Sequence, residues 1–460
     1  MPADRIAFFF ENRRLEGTDG ESIAGALFRV GIRTLSHSVK FHRPRGLHCA
    51  RGRCVMCHME VDGTPGVPTC VTPLKDGMRI RREGAIPFFA PLLIASVRML
   101  PFPAGFYYHM FTRPAVVRRF FFGVLRRMAG VGKVRLDAPE TKPCDIADSP
   151  VASLKRHYGV AVIGAGLSGM AAASAAAEGR ADVLLVDEYD RLGGHSIGTT
   201  SDAERSDARD TLATGISANP SVTVCAGTTA LGFYPPDTIL LGPRTRPGQS
   251  MPMRRIKADR FIFATGAYDL VPLFENNDTP GVFGERAIRL LLERDGIRPG
   301  GRAVVYGMGS RVTDLVQLLA SHDIQVAALV DPSNDVPSAE ATRVSGRVVR
   351  VTGGEWIRSV DVKSANGTKR IPCDLLCTAF PGQGAYELAY QAGFRFEFPE
   401  TDTDEEKVMR PTTRELHLDK AISCIVVGDL AGDEMWRDRI LRGEEAGRIA
   451  VNPPRASREG

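Results

Sequence analysis

The 460-residue chain carries 59 basic and 54 acidic side chains, a net charge of +5, and is 43% hydrophobic and 25% charged. That balance suits a soluble globular protein of roughly three domains at about 150 residues each. It is too mild, and too free of Lys/Arg blocks, to predict nucleic-acid binding. The opening MPADRIAFFFENRR has acids where a secretory signal has its apolar run, so export is not expected and the cytoplasm is the expected compartment. Nine cysteines in such a chain point to ligands or reduced thiols, not to a disulfide framework.

Residues 1 to about 84 read as a small β-rich module. RIAFFF has strand character, ENRR turns, and ESIAGALFRVGI follows as an amphipathic helix. The run HCARGRCVMCHMEVDGTPGVPTC then spaces Cys49, Cys54, Cys57 and Cys70 as C-x4-C-x2-C-x12-C. That opening, with a more distant fourth Cys, is the ligand spacing of plant-type [2Fe–2S] ferredoxins, in which four thiolates hold two irons. A tight loop turns backbone N–H groups toward the sulfides; Gly52 sits where it folds sharply, and Gly63 closes a VDG turn after the third ligand. The expectation is a β-grasp [2Fe–2S] module that moves single electrons. Zinc is the alternative, although zinc ribbons use two C-x2-C knuckles and this chain has one. Rieske ligation would put His at two of the four positions; His42, His48 and His58 read as surface or supporting groups. Cys144, Cys225, Cys373, Cys377 and Cys424 are scattered, and CDLLC reads as buried strand.

Residues 85–155 are rich in Phe, Pro and Arg and predict a linker and helical arm. Arg98 and the prolines at 87, 91, 101 and 103 keep every apolar window below the about 20 residues of a membrane span, so no transmembrane segment is expected. AVVRRFFFGVLRRMAG places Val117, Phe120, Phe121, Val124 and Met128 on one side of a helix, with arginines at 118, 119, 126 and 127. The expectation is packing on a neighbouring domain or subunit, with peripheral membrane contact as the alternative.

From Tyr158 strands and helices alternate. GVAVIGAGLSGMAAASAAAEGRADVLLVDE is strand, Gly-rich turn, helix, strand. Gly164, Gly166 and Gly169 fill GxGxxG, the second strand ends at Asp187 with Glu188 beside it, and Gly193-Gly194 follow. The first Gly makes the turn, the second admits a pyrophosphate, the third packs helix on strand, and the acid takes ribose hydroxyls. A weaker unit, RAVVYGMGSRVTDLVQLLASHDIQVAALVD, has Gly307 and Gly309, but Val312 replaces the third glycine before Asp331. A retained fold without ligand is expected there, with NAD(P) binding as the alternative. ATG (Ala264, Thr265, Gly266) and VVGDLAG (Gly428, Asp429) follow apolar runs, which places them at the strand C-termini where open α/β sheets bind ligands.

The ordered set GxGxxG, ATG, a second GxG and a late GD resembles the two-dinucleotide flavoprotein reductases. The resemblance assigns Asp429 to the ribityl chain of FAD and inserts the second nucleotide domain into the first. The implied fold is α/β (α+β overall), a β-grasp [2Fe–2S] module followed by a two-dinucleotide-binding, Rossmann-like flavoprotein. Its domains would be 1–84 (cluster), 85–155 (arm), 156–275 plus 400–455 (FAD-type) and 276–399 (second, degenerate). A closer resemblance covers nearly the whole chain. SVKFHRPRG, PAGFYYHMF, RRMAGVGK and GDLAG look like the alpha subunit of heterotetrameric sarcosine oxidase and of related amine and imino acid dehydrogenase complexes. Opine oxidases, proline dehydrogenases and hydrogen cyanide synthase are among these. The partner that the resemblance implies is an FAD-bearing beta-type amine oxidase subunit. It also implies FAD, NAD or ATP in the first nucleotide site and, in several members, FMN between alpha and beta subunits. Sarcosine oxidase alpha lacks the cluster cysteines present here and continues into a folate-binding domain, whereas this chain ends at Gly460, so folate-linked capture of formaldehyde is not expected.

The resulting expectation is the electron-transfer subunit of a multi-subunit, FAD-dependent amine or imino acid dehydrogenase or oxidase. It would pass electrons from a partner flavin to the [2Fe–2S] cluster and an unidentified acceptor. No general base is assigned. The alternatives are a stand-alone NAD(P)H-dependent FAD/[2Fe–2S] reductase and a scaffold subunit whose nucleotide is structural.

Overall fold

The computed structural model describes residues 5–37, 43–83, 113–129, 142–143, 151–197, 202–243, 249–250, 252–270, 272–333, 342–398, 408–418, 422–432 and 435–452. The rest of the expected arm, His42 and Cys144 lie outside the described residues. The chain divides into two compact units, Met1–Pro139 with Val271–Ala379, and Glu140–Leu270 with Phe380–Gly460.

In the first unit Arg5–Phe10 pairs antiparallel with Arg13–Thr18 across a turn at Glu11 and Asn12, both at positive φ. The sheet continues through Arg79–Arg82, His58–Val61 and Thr64–Pro68. Arg79–Arg82 runs parallel to the first strand, which gives the mixed sheet of a β-grasp. The helix Ile23–Arg29 starts where the Ser22 hydroxyl accepts the Gly25 N–H, and it buries Ile23 and Leu27 against Phe8 and Leu74. Each such side chain contributes about 1.5–3 kcal/mol on burial.

The same unit holds a five-stranded parallel sheet in the order Val282–Gly284, Leu375–Ala379, Arg302–Gly307, Gln325–Asp331, Arg343–Ser345. A three-stranded antiparallel sheet spans Arg347–Gly353, Ile357–Ser364 and Gly367–Pro372. The apolar side chains of the β-grasp and of the parallel sheet form one continuous core. Trp356 joins them: Phe28 meets it edge-on at 5.7 Å, Phe283 lies at 6.2 Å, and the Arg33 guanidinium covers it at 4.6 Å. Helix Ala115–Ala129 is present as expected, but no side chain described on it is buried. Among the described residues no helix is long and apolar enough to cross a membrane.

The second unit is built on an eight-stranded sheet. Its parallel centre sets Val160–Ile163 against Val183–Val186 on one side and Arg260–Phe263 on the other, with Ser423–Val426 beyond. Continuous apolar runs suit strands covered on both faces. Helix Leu167–Glu178, half alanine and almost wholly buried, packs on the sheet and on helix Trp436–Val451. A Cβ on Gly443 would stand 2.3 Å from the Ser168 carbonyl oxygen, and one on Gly447 2.4 Å from that of Ala172. Only glycine permits helices to touch backbone to backbone in this way.

Candidate cluster and dinucleotide sites

The four expected cluster ligands come together in one loop system of the first unit. Cys57 and Cys70 are buried, and Cys49 and Cys54 are half-buried. The loop closes through positive φ at Ala50, Gly52 and Val55, which faces its N–H groups inward. Arg51 and Arg53 N–H groups donate to Cys49 Sγ at 3.4 Å, and Gly52 N–H donates to Cys70 Sγ at 3.1 Å. Hydrogen bonds from Cys54 and then Cys70 hold the Cys49 thiol far below its ordinary range, while the bond to Cys49, aided by burial, pushes Cys54 up. Cys70 likewise lowers Cys57, and Cys70 is itself raised by Cys49, Cys57 and burial. Four adjoining sulfurs that cannot all ionise together are relieved by cations that take them as thiolates, which is the fit a cluster needs. Among the described residues no three His, Cys, Asp or Glu side chains are spaced to hold a single ion; a two-iron cluster asks only two thiolates of each iron.

The loop is braced from the second fold of its own unit. His48 Nδ1 lies 3.1 Å from the Val282 carbonyl, and Arg294 donates to the carbonyl of Ala50, next to Cys49, at 3.4 Å. Arg294 extends from a π-helical turn, Leu290–Arg294, an irregularity that sequence periodicity gave no sign of.

In the second unit the expected dinucleotide residues converge at the C-terminal edge of the parallel sheet. Gly164 has φ +105, and its Cβ would lie 2.2 Å from the Ala264 carbonyl, so the turn and the ATG strand share one close contact. A Cβ on Gly169 would lie 1.8 Å from the Gly164 carbonyl. Gly166 differs: its φ is an ordinary −71°, and a Cβ there would meet nothing within 4 Å. The protein itself gives no steric reason for glycine at 166, whereas a phosphate against the bare N-terminus of helix Leu167–Glu178 does. Gly194 lies against Gly166 and completes the floor of this cradle. Its residues therefore fit a dinucleotide.

Asp187 is buried, with Oδ2 accepting the Ala165 N–H at 2.6 Å and Oδ1 the Tyr189 N–H at 2.8 Å. These two bonds fix the carboxylate at the end of its strand beside the Gly164 turn. Glu188 is half-buried beside it. Thr265 donates to the Ala385 carbonyl at 2.6 Å, and Gly266 is at φ +75 with His195 close by. Gly428, at φ +74, opens a 3-10 turn that carries Asp429. The Asp429 side chain, 6% exposed, lies between His195, at 3.0 Å from Oδ2, and Arg439, at 2.6 Å from Oδ1. His195 and Arg439 belong to no motif in the sequence; the Gly-Gly-His order and the arginine one turn into the last helix are their only local traces.

The second nucleotide-type fold is arranged otherwise. Gly307 is needed because a Cβ would stand 2.2 Å from the Ala379 carbonyl, while Val312 is wholly buried in the core. Asp331 is fully buried, and its oxygens are bonded to Ser333 and, at 2.8 Å, to Arg343. Cys373 and Cys377 are buried in or beside strands, as expected of CDLLC, and Cys225 and Cys424 are buried in strands as well.

Comparison with known proteins recognises both folds. The 2Fe-2S iron-sulfur cluster binding domain matches residues 3–84, and the pyridine nucleotide-disulphide oxidoreductase domain matches residues 158–333. The chain therefore carries a [2Fe–2S] module and an FAD-type dinucleotide-binding fold. The alpha subunit of sarcosine oxidase from Rhizobium meliloti (strain 1021) is 31% identical over 400 residues, 81% of this chain and 39% of that protein. Its counterpart from Corynebacterium sp. (strain U-96) is 31% identical over 210 residues, 43% of this chain and 22% of that protein. The chain thus spans about two fifths of the first of these relatives, and its match spans about one fifth of the second. Among solved structures, L-proline dehydrogenase from P. horikoshii superposes with a TM-score of 0.65 at 21% identity, covering 98% of this chain and 74% of that one, which establishes a shared fold.

Proposed function

Taking the chain as a homologue of sarcosine oxidase alpha subunits that bears its own [2Fe–2S] module, we propose that it is the electron-carrying subunit of a multi-subunit, flavin-dependent amine or imino acid dehydrogenase. Substrate oxidation then belongs to a beta-type partner. The observation that carries this reading is the pairing, in one polypeptide, of four adjoining thiols with an open Gly166 cradle. Cys49, Cys54, Cys57 and Cys70 would hold the cluster. Gly164, Gly166, Gly169 and Gly194 would admit the pyrophosphate of FAD, with Asp187 on the ribose and Glu188 beside it. Thr265, Gly266, Gly428 and Asp429 would line the remainder. A flavin accepts electrons in pairs and gives them up singly, which is the exchange a one-electron cluster needs. The protein's part is orientation: Asp429 fixes His195 and Arg439 at the strand ends, and the loop N–H groups stabilise charge on the cluster sulfurs. The ion pair of buried Asp331 with half-buried Arg343 favours this reading over an NAD(P)H reductase, since the acid in the ribose position is already bonded within the fold.

The test is co-expression with a beta-type amine oxidase subunit under anaerobic conditions. Amine should reduce flavin and cluster in the complex, and the isolated chain should show no amine-driven bleaching. Fast bleaching of the isolated chain by amine would move catalysis into this polypeptide. Fast bleaching by NADH alone would establish the reductase.

A further inference from the structure

The helix Ala115–Ala129 has no role in either site, and its surroundings are unusual for a folded protein. Phe120 is 76% exposed and Val117 40%, and these two share one side of the helix, with Val116, 79% exposed, at its edge and Phe122, 36% exposed, on the far side. Arg118 and Arg119, also exposed, lie on its flank and back. Monomeric proteins seldom leave adjoining large apolar groups in water, so this side is built to be covered. The charge pattern says by what. From residue 84 to residue 136 the sequence has eight Lys or Arg and no Asp or Glu, although the whole chain is only +5, so the remainder of the chain is net negative.

We propose that this helix lies in the headgroup plane of an anionic lipid bilayer, with the Val117 and Phe120 side in the acyl boundary and Arg118 and Arg119 on the headgroups. Low overall hydrophobicity, one apolar side and a basic opposite side are the signature of an in-plane interfacial helix. A long stretch without acids is what a surface of uniform negative charge selects. A protein partner would cover the apolar side equally well, but would not call for the exclusion of every acid over so long a stretch.

The full chain, cluster loaded, is floated with phosphatidylcholine vesicles containing about one third phosphatidylglycerol and with phosphatidylcholine alone. Binding to the anionic vesicles is expected, with a preference that falls as salt rises. Arg118→Glu and Arg119→Glu should each weaken it about fivefold or more, and Phe120→Glu at least about tenfold. Because these side chains are exposed, the variants should keep the wild-type visible spectrum and melting temperature, which are measured alongside. Absence of flotation, or equal flotation with both vesicle types, would overturn the proposal. So would Phe120→Glu that floats normally but no longer co-purifies with a beta-type subunit, which would make the helix a subunit contact.

Discussion

Replacing Gly166 and Gly169 separately should have opposite consequences. A Cβ at 169 would sit 1.8 Å from the Gly164 carbonyl oxygen, where real contacts stay beyond 3.0 Å, so helix and turn must part by about an ångström. Overpacking of this kind costs about 1–3 kcal/mol, and the clash here is with backbone, which cannot rotate away, so the upper end applies. In a domain of this size each kcal/mol lowers Tm by about 2–4 °C, so Gly169→Ala should melt roughly 6–12 °C below wild type. At 166 the backbone is at φ −71° with open space beyond, so Gly166→Val should change the stability of the cofactor-free protein by no more than about 1 kcal/mol. The same side chain fills the space a pyrophosphate needs, and loading should fall at least about tenfold, or about 1.4 kcal/mol. Thermal melts of cofactor-stripped protein and chromatography of nucleotides released on denaturation read the two effects separately. Normal loading of Gly166→Val would refute the phosphate cradle, and an unshifted melt of Gly169→Ala would refute the contact. Release of NAD or ATP without flavin would keep the cradle and replace FAD as its occupant.

Two further outcomes are expected. Burial pushes the thiols of Cys373 and Cys424 up from 9.0 to about 12, and Cys377 higher still, so at pH 8 their thiolate fraction is roughly a thousandfold below that of an unfolded thiol. A thiol reagent should modify them only on unfolding. Because the folded state keeps these protons while the unfolded state releases them above 9.0, their contribution to stability is full below pH 9 and is lost as pH rises towards about 12. Labelling of Cys424 in the native protein would contradict the packing. Arg343→Ala should leave the carboxylate of Asp331 buried without its cation and destabilise the first unit by about 2 kcal/mol, the partial exposure of the arginine moderating the loss. Arg343→Ala with Asp331→Asn should recover part of it, and a double variant no better than the single one would refute the pairing.

Much of this molecule could be read before its fold was known, because the signals are local. Four cysteines within 22 residues, a GxGxxG between strand and helix, and ATG and GD after apolar runs each mark a place by short-range pattern, and the structure brings the last three to one sheet edge. What could not be read depends on distant pairing. His195 and Asp429 are 234 positions apart, and neither residue type announces the other. Asp331 looked like a ribose ligand because its position after a strand is the right one; only the fold brings Arg343, 12 residues on, to its carboxylate. The shared core of the β-grasp and the second nucleotide-type fold is a further case, since Phe28, Phe283 and Trp356 meet across several hundred residues of chain. That core also gives a physical reason for keeping a nucleotide-type fold whose acid is occupied. Val282 and Arg294, both outside the β-grasp, contact His48 and Ala50 on either side of Cys49. A cluster loop braced on a rigid parallel sheet is held more firmly than one carried by a small domain alone.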